Sequence, residues 1–164
     1  MPIKMNDVYT LDIVKAIIQH YTTDTWGKKA VIPAAPWSIE NIATWIIHYA
    51  NLWSIDILLP LAQGVLECHF GVNPAAKRSR NTMNIYNVGN VDTGANETQS
   101  GWEAGINRYC QLLRMEYNWK EDPFITVESM VKHDFHRPRG GRYASAPSYT
   151  TDVQSIANHI KGMM

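Results

Sequence analysis

LLPLAQGVLECHFGVN, residues 58 to 73, is an apolar helical segment that ends on a single carboxylate, Glu67. No ionisable residue lies between Asp56 and Glu67. A lone acid at the C-terminal end of such a helix, followed by a glycine-containing turn, suits a general acid in a partly desolvated cleft. Desolvation disfavours the ionised form and raises a carboxyl pKa toward working pH. Enzymes that protonate a leaving oxygen keep one glutamate neutral in this way. The plainer reading is that Glu67 is only the last, solvated residue of a core helix, and both readings stand at this point.

Upstream of this segment the chain reads as helical. Val8 to Tyr21 places Val8, Leu11, Val14, Ile18 and Tyr21 on one face at helical spacing. A linker with Gly27, Pro33 and Pro36 follows. Ser38 then has the chemistry of an N-cap for a helix running to about Leu52, with Ile39, Ile42, Ile46 and Tyr49 in register. Asn51 to Asp56 is a short turn, Asp56 is a candidate cap for the next helix, and Pro60 falls in its first turn, where it is tolerated. Two helices joined this tightly are expected to pack antiparallel.

Downstream the character changes. Asn73 to Gly101 is rich in Asn, Gly, Ser and Thr, and NVGNVDTGANE has no helical period. It reads as loops with a short β-hairpin around Asn84 to Asn96. A long polar segment inside a compact domain is more often a binding loop than an idle linker. Helix returns at about Gly101 to Tyr117, with Trp102, Ile106, Tyr109 and Leu113 on one stripe. Asn118 to Ser148 reads as a loop carrying HDFHRPRGGRY, and a last helix, about Thr150 to Ile160, buries Val153, Ile156 and Ile160. There is no internal repeat and no domain boundary. Residues 1–164 form one mainly α (α+β) domain, with a helical N-terminal extension at about 1–30.

Composition narrows the class of function. With 164 residues, 45% of them hydrophobic, and six Trp and eight Tyr, the chain has enough apolar matter for one real core. Lys plus Arg equals Asp plus Glu at 15 each, so no net field favours nucleic acid or an anionic membrane. Cys68 and Cys110 are too few for a disulfide framework and read as buried thiols, with one bridge between them the alternative. No apolar run reaches the roughly 18 residues a membrane helix needs, so no span is expected. The opening MPIKMNDVYTLDIVKAIIQHY has no basic region followed by a continuous apolar run, so no secretory leader is expected.

Four segments in this order carry a resemblance: LAQGVLECHFG, then NIYNVGN, then a Trp-led helix with EAGINRYCQLLRMEY, then GRYASAPSYTTDVQSIANHI. The chain resembles the peptidoglycan-cleaving N-acetylglucosaminidases and lytic transglycosylases of the lysozyme superfamily. Their pattern runs AQ-x-x-x-ES-x-x-G, then N-[LI]-[FY]-N/G, then a helix ending in Tyr, then YA-[ST]-x-P-x-Y-x-x-x-[VL]. The resemblance covers roughly residues 38 to 160, and RYASAPSYTTDV is its most specific part. It implies a lysozyme-like helical domain with a small β or loop lobe flanking a cleft. It implies Glu67 as the acid that protonates the glycosidic oxygen, Tyr143 lining the cleft beside it, and Asn84, Tyr86 and Asn87 bordering the adjoining sugar subsite. One departure is Cys68, where the family has a small Ser. A thiol is nearly isosteric with a hydroxyl but a poorer donor, which bears on how Glu67 is positioned.

The second carboxylate would decide the mechanism. A hydrolase needs a base or nucleophile across the scissile bond. Asp92 and Glu97 sit in the polar loop and are the candidates, and Glu103 starts the next helix. A lytic transglycosylase needs no second acid, since the sugar's own 6-hydroxyl closes onto the anomeric carbon. Other constellations carry less. HDFH (His133, Asp134, His136) has metal-ligand residue types but nothing elsewhere to complete a four-ligand site, so no metal and no cofactor is expected. Cys68 sits at a helix end rather than at the N-terminus that would stabilise a thiolate, so a thiol nucleophile is rejected. Arg137, Arg139 and Arg142 either contact acidic peptide stems or carbohydrate, or form a solvated loop that carries Tyr143. Trp102, Tyr109 and Trp119 read as core, with sugar stacking the lesser alternative.

The expected activity is therefore cleavage of the peptidoglycan glycan strand between amino sugars, for wall penetration or lysis. The expected partners are the polysaccharide and, in a bacteriophage setting, other virion proteins. The expected location is the virion, or the host cytoplasm until release onto the wall. The competing class is a non-catalytic structural or glycan-binding virion protein on the same scaffold.

Overall fold

The computed structural model describes residues 5–75, 85–86, 89–90, 95–96, 99–116, 122–132 and 148–164. The chain is mainly helical. Among the described residues the elements are α1 (Leu11–Gln19), α2 (Ile39–Leu52), α3 (Leu58–Cys68), α4 (Trp102–Glu116), α5 (Val127–Lys132) and α6 (Tyr149–Gly162). A two-residue antiparallel pairing joins Gly89 to Asn96 and Asn90 to Ala95. That contact falls within the stretch expected to hold a hairpin, and most of the rest of that stretch lies outside the described residues.

Local chemistry sets most helix ends. Ser38 caps α2, its hydroxyl accepting from the Asn41 amide at 3.0 Å. The cap position of α3 is Ile57 rather than the expected Asp56, whose side chain accepts from the Leu58 amide at 3.1 Å. Pro60, in the first turn of α3, lacks an N–H that would have no intrahelical partner anyway. The expected start of α1 at Val8 is corrected: the cap is Thr10, whose hydroxyl accepts from the Ile13 amide. Its inward face is Val14, Ile17 and Ile18, while Val8 and Leu11 are exposed. Beyond Gln19 the backbone continues as a π-type turn through Asp24.

One core draws on every α-helix. It contains Val14, Ile17 and Ile18 of α1, Ile42 and Ile46 of α2, Leu59, Leu61 and Ala62 of α3, Ile106, Tyr109 and Leu113 of α4, Met130 of α5 and Val153 and Ile160 of α6. The N-terminal segment is thus part of that core. The expected pairing of α2 with α3 is only a minor contact. Instead α2 packs between α1 and α4, and the chief partner of α3 is α6. Having apolar residues all round, α3 can take neighbours on every side and so occupies the middle. The region between α4 and α6, expected to be loop throughout, contains α5. Thr126 caps it, its hydroxyl accepting from the Ser129 amide while the Ser129 hydroxyl accepts from the Thr126 amide, each at 3.1 Å. This reciprocal capping, with only six helical residues, is too short to register as a period. Among the described residues no helix is long and apolar enough to cross a membrane.

Candidate active site

Glu67 is the penultimate residue of α3 and is half-buried. Its Oε1 accepts a hydrogen bond from the Tyr149 hydroxyl at 2.8 Å. Tyr149 opens α6, 82 residues further along the chain. The Tyr149 oxygen in turn accepts from Nε2 of Gln63 at 3.0 Å, and Gln63 Oε1 accepts from the Tyr109 hydroxyl. Gln63 and Tyr109 are fully buried. Four side chains from three helices therefore form one polar chain that begins in the core and ends on the carboxyl. Burial pushes the Tyr109 phenol well above its ordinary value, with smaller contributions from Tyr86, Cys110, Tyr149 and Glu67, so it remains a protonated donor.

The helix exit beside Glu67 is unusual. His69, Phe70 and Gly71 all have positive φ, at 49°, 56° and 99°. Left-handed backbone costs a residue with a Cβ on the order of 1 kcal/mol, so two such residues in succession need outside support. Trp37 supplies it by donating its indole N–H to the Phe70 carbonyl at 2.9 Å. The Val31 amide donates to the Val72 carbonyl, also at 2.9 Å. The Phe70 ring lies against Gly64, where a Cβ would stand 2.3 Å from ring carbon Cε1. A glycine in the middle of a helix is costly, and here it makes room for that ring.

Around this turn pack Tyr21, Trp26 and His69, with the Trp26 and His69 ring centroids 5.0 Å apart and edge-to-face. Burial holds the His69 imidazole below its ordinary pKa. Cys68 is buried, and its thiol donates to the Ile85 carbonyl at 3.0 Å, tying the end of α3 to the 85–86 segment. In that position the thiol does what a serine hydroxyl could do. Cys68 and Cys110 are both buried free thiols.

Of the expected sugar-site residues, Tyr86 is fully buried. It donates to the Pro60 carbonyl at 2.9 Å and stacks on Tyr109, with centroids 3.7 Å apart. A side chain with no exposed surface touches no sugar in this arrangement. Its side chain packs between α3 and α4. Asn84, Asn87, Tyr143, Asp92 and Glu97 lie outside the described residues, as do Trp119, the HDFH stretch and Arg137, Arg139 and Arg142. Trp102 and Tyr109 are core residues. Among the described residues no group of His, Cys, Asp and Glu is arranged to hold a metal ion.

Sequence reasoning missed Gln63, Tyr109 and Tyr149 as members of the site. Gln63 had a signal: it lies four residues before Glu67, hence on the same face of an otherwise apolar helix. Tyr149 belongs to the same RYASAPSY segment, in which only Tyr143 is expected to line the cleft. Compared with known protein families, with characterised proteins and with solved structures, the chain matches none.

Proposed function

We propose that this chain cleaves the glycan strand of bacterial peptidoglycan, on a lysozyme-like scaffold, with Glu67 as general acid. The observation that carries the reading is the hydrogen bond from Tyr149 to Glu67, made by a hydroxyl that is itself held by a buried amide. A general acid must present its proton to the glycosidic oxygen within hydrogen-bond reach and at a fixed angle. A carboxyl anchored through one oxygen cannot rotate freely, and the partial burial of Glu67 limits competition from water. The order of the four resembling segments supports the same assignment. Tyr143, Asn84 and Asn87 would line the sugar site. The far side of the bond would be served by Asp92 or Glu97 activating water, or by the sugar's own 6-hydroxyl. The setting proposed is a bacteriophage enzyme, virion-borne or released at lysis.

Digestion of purified peptidoglycan by wild type and Glu67→Gln, with mass spectrometry of the soluble products, tests the reading. We expect the wild type to release muropeptides and the variant to be slower by about 100-fold or more. Anhydro ends would identify a lytic transglycosylase, while reducing ends would identify a hydrolase and name the bond. No release by folded wild type from several wall types would overturn the reading in favour of a non-catalytic scaffold.

A further inference from the structure

Away from Glu67, we propose that the groove between α2 and the start of α4 is a binding site for a neutral sugar ring, specifically an N-acetylated amino sugar. Only the choice of an amino sugar rests on the proposed function; the groove's own groups select the class.

The groove is built from one repeated spacing. Trp45 and Tyr49 of α2, with Trp53 just past its end, recur every four residues and so share one face. Glu103 and Asn107 share a face of α4 in the same way. Two rungs are closed between the helices. The Tyr49 hydroxyl donates to Glu103 Oε2 at 2.6 Å, and the Trp53 indole N–H donates to Asn107 Oδ1 at 2.8 Å. The bond to Glu103 and then burial hold the Tyr49 phenol above its ordinary pKa, so the hydroxyl keeps its proton. The third rung is open. α4 begins only at Trp102, and a Cβ placed on Gly101 would meet nothing within 4 Å. What results is a cavity of about 430 Å³ lined by Trp45, Tyr49, Gly101, Trp102, Glu103 and Asn107 among others. That volume lies within the roughly 300–1,000 Å³ of small-molecule sites.

The open groups match a sugar better than its rivals. An indole N–H only donates, so Trp53 holds Asn107 with its oxygen engaged and leaves Nδ2 as a donor. Among the described residues neither Asn107 Nδ2, the Trp45 indole N–H nor Glu103 Oε1 has a hydrogen-bond partner. The groove therefore offers donors at Trp45 and Asn107 and an acceptor at Glu103, beside half-buried aromatic rings. An amino-sugar pyranose has the complementary mixture. Its hydroxyls donate and accept around the rim, its acetamido carbonyl accepts, and its C–H face packs on an aromatic ring. No Lys, Arg or His lines the groove, so nothing there would hold a phosphate or a carboxylate. A cation would suit the rings and Glu103 but would leave both N–H donors facing positive charge. A purely apolar ligand would bury those donors and the carboxylate unpaired.

Trp102 is the buried floor of the groove, and its ring also lies 3.9 Å from where a Cβ on Gly71 would stand. The groove thus adjoins the turn that follows Glu67, yet its lining includes none of Gln63, Glu67, Tyr109 or Tyr149.

The test titrates full-length wild-type protein, labelled with nitrogen-15, with the methyl β-glycoside of N-acetylglucosamine. This monosaccharide has no bond between amino sugars, so binding is read apart from any cleavage. The Trp45 indole N–H signal, identified by its loss in Trp45→Phe, should shift and saturate with a Kd on the order of 1–10 mM. Trp45→Ala, followed at the Asn107 side-chain amide, should weaken binding by about 10-fold. Glu103→Gln can still accept from Tyr49 but turns the free acceptor into a donor, and should also weaken binding by about 10-fold. Glu103 is exposed, so this variant carries the test should Trp45→Ala fold poorly.

No saturable shift at Trp45 up to about 100 mM glycoside would overturn the site. Saturable binding that neither Trp45→Ala nor Glu103→Gln weakens would place the sugar elsewhere and overturn it equally. A tighter response at Trp45 to tetramethylammonium than to the glycoside would overturn the sugar in favour of a cationic ligand. The acid role of Glu67 stands or falls separately, on release of muropeptides by the wild type.

Discussion

Helix α3 begins and ends in opposite ways. At its entry a buried amide, Asn6, is used wholly on structure. Its Nδ2 donates to Asn51 Oδ1 and to the Ile55 carbonyl, and its Oδ1 accepts from the Ile57 amide, each at 2.9 Å. The strand-like contact of Ile55 with Ile125 and the Arg114 guanidinium on the Trp53 and Ser54 carbonyls complete a satisfied, unremarkable junction. At its exit a second buried amide, Gln63, is used on two hydroxyls, and the chain they form runs outward to a half-buried acid. There the backbone passes through three left-handed residues. Polar groups that tie backbone to backbone hold a fold in place. Polar groups that lead to a titratable carboxyl, next to strained backbone, are the arrangement on which the proposed acid role of Glu67 rests.

Gly64→Ala should have the largest effect on stability and tests whether the exit turn depends on the Phe70 ring. The new Cβ would meet a ring that is fully buried and whose backbone is held by Trp37, so it cannot swing aside. The loss should be about 2–3 kcal/mol despite the better helix propensity of alanine. Thermal unfolding should show a melting temperature lower by roughly 5–10 °C. An unchanged or higher melting temperature would mean that the turn repacks freely and is not a strained feature.

Asn6→Ala should cost about 2 kcal/mol, because the Ile57 amide is left buried without its acceptor. On the proposed function, folded Asn6→Ala protein should digest peptidoglycan at close to the wild-type rate below its melting range. A loss of rate approaching that of Glu67→Gln would break the contrast between the two ends of α3, since the entry would then also tune the acid.

The smallest effect is a pH dependence at the exit. Burial depresses the His69 pKa below the ordinary imidazole value of 6.5. A base with a depressed folded pKa is protonated more readily in the unfolded chain. Its contribution to stability is therefore full above 6.5 and is lost as pH falls through the depressed value. His69→Asn keeps a residue that tolerates left-handed backbone and removes the imidazole. The decline in wild-type melting temperature between about pH 6.5 and 5 should be shallower in this variant. Parallel curves would show that protonation of His69 opposes folding no more than that of an exposed imidazole.

Much of the helical framework was legible in the residues. The Ser38 cap, the span of α2, the Trp102–Ile106–Tyr109–Leu113 stripe and the Val153–Ile160 face follow from local hydrogen-bonding chemistry and a period of 3.6. Where the same logic failed, a competing local effect won. Val8 and Leu11 continue the α1 pattern, but Thr10 offers a better cap, so the helix starts later and its inward face shifts to Val14, Ile17 and Ile18. The pairing of α2 with α3 is minor because a short connection limits distance without dictating contact, and an all-round apolar helix finds its chief partner elsewhere.

By itself the sequence determined that the chain is mainly helical and that α3 is apolar and ends on one acid, because these depend on residue type and near-neighbour spacing. Only the tertiary structure decided which groups meet that acid. Tyr149 reaches Glu67 across 82 residues and Tyr109 reaches Gln63 across 46. No local pattern encodes such meetings, because they depend on which helix faces pack together. The polar contacts of Gln63 with Tyr109 and Tyr149 exist only once α3, α4 and α6 have closed around that one buried amide.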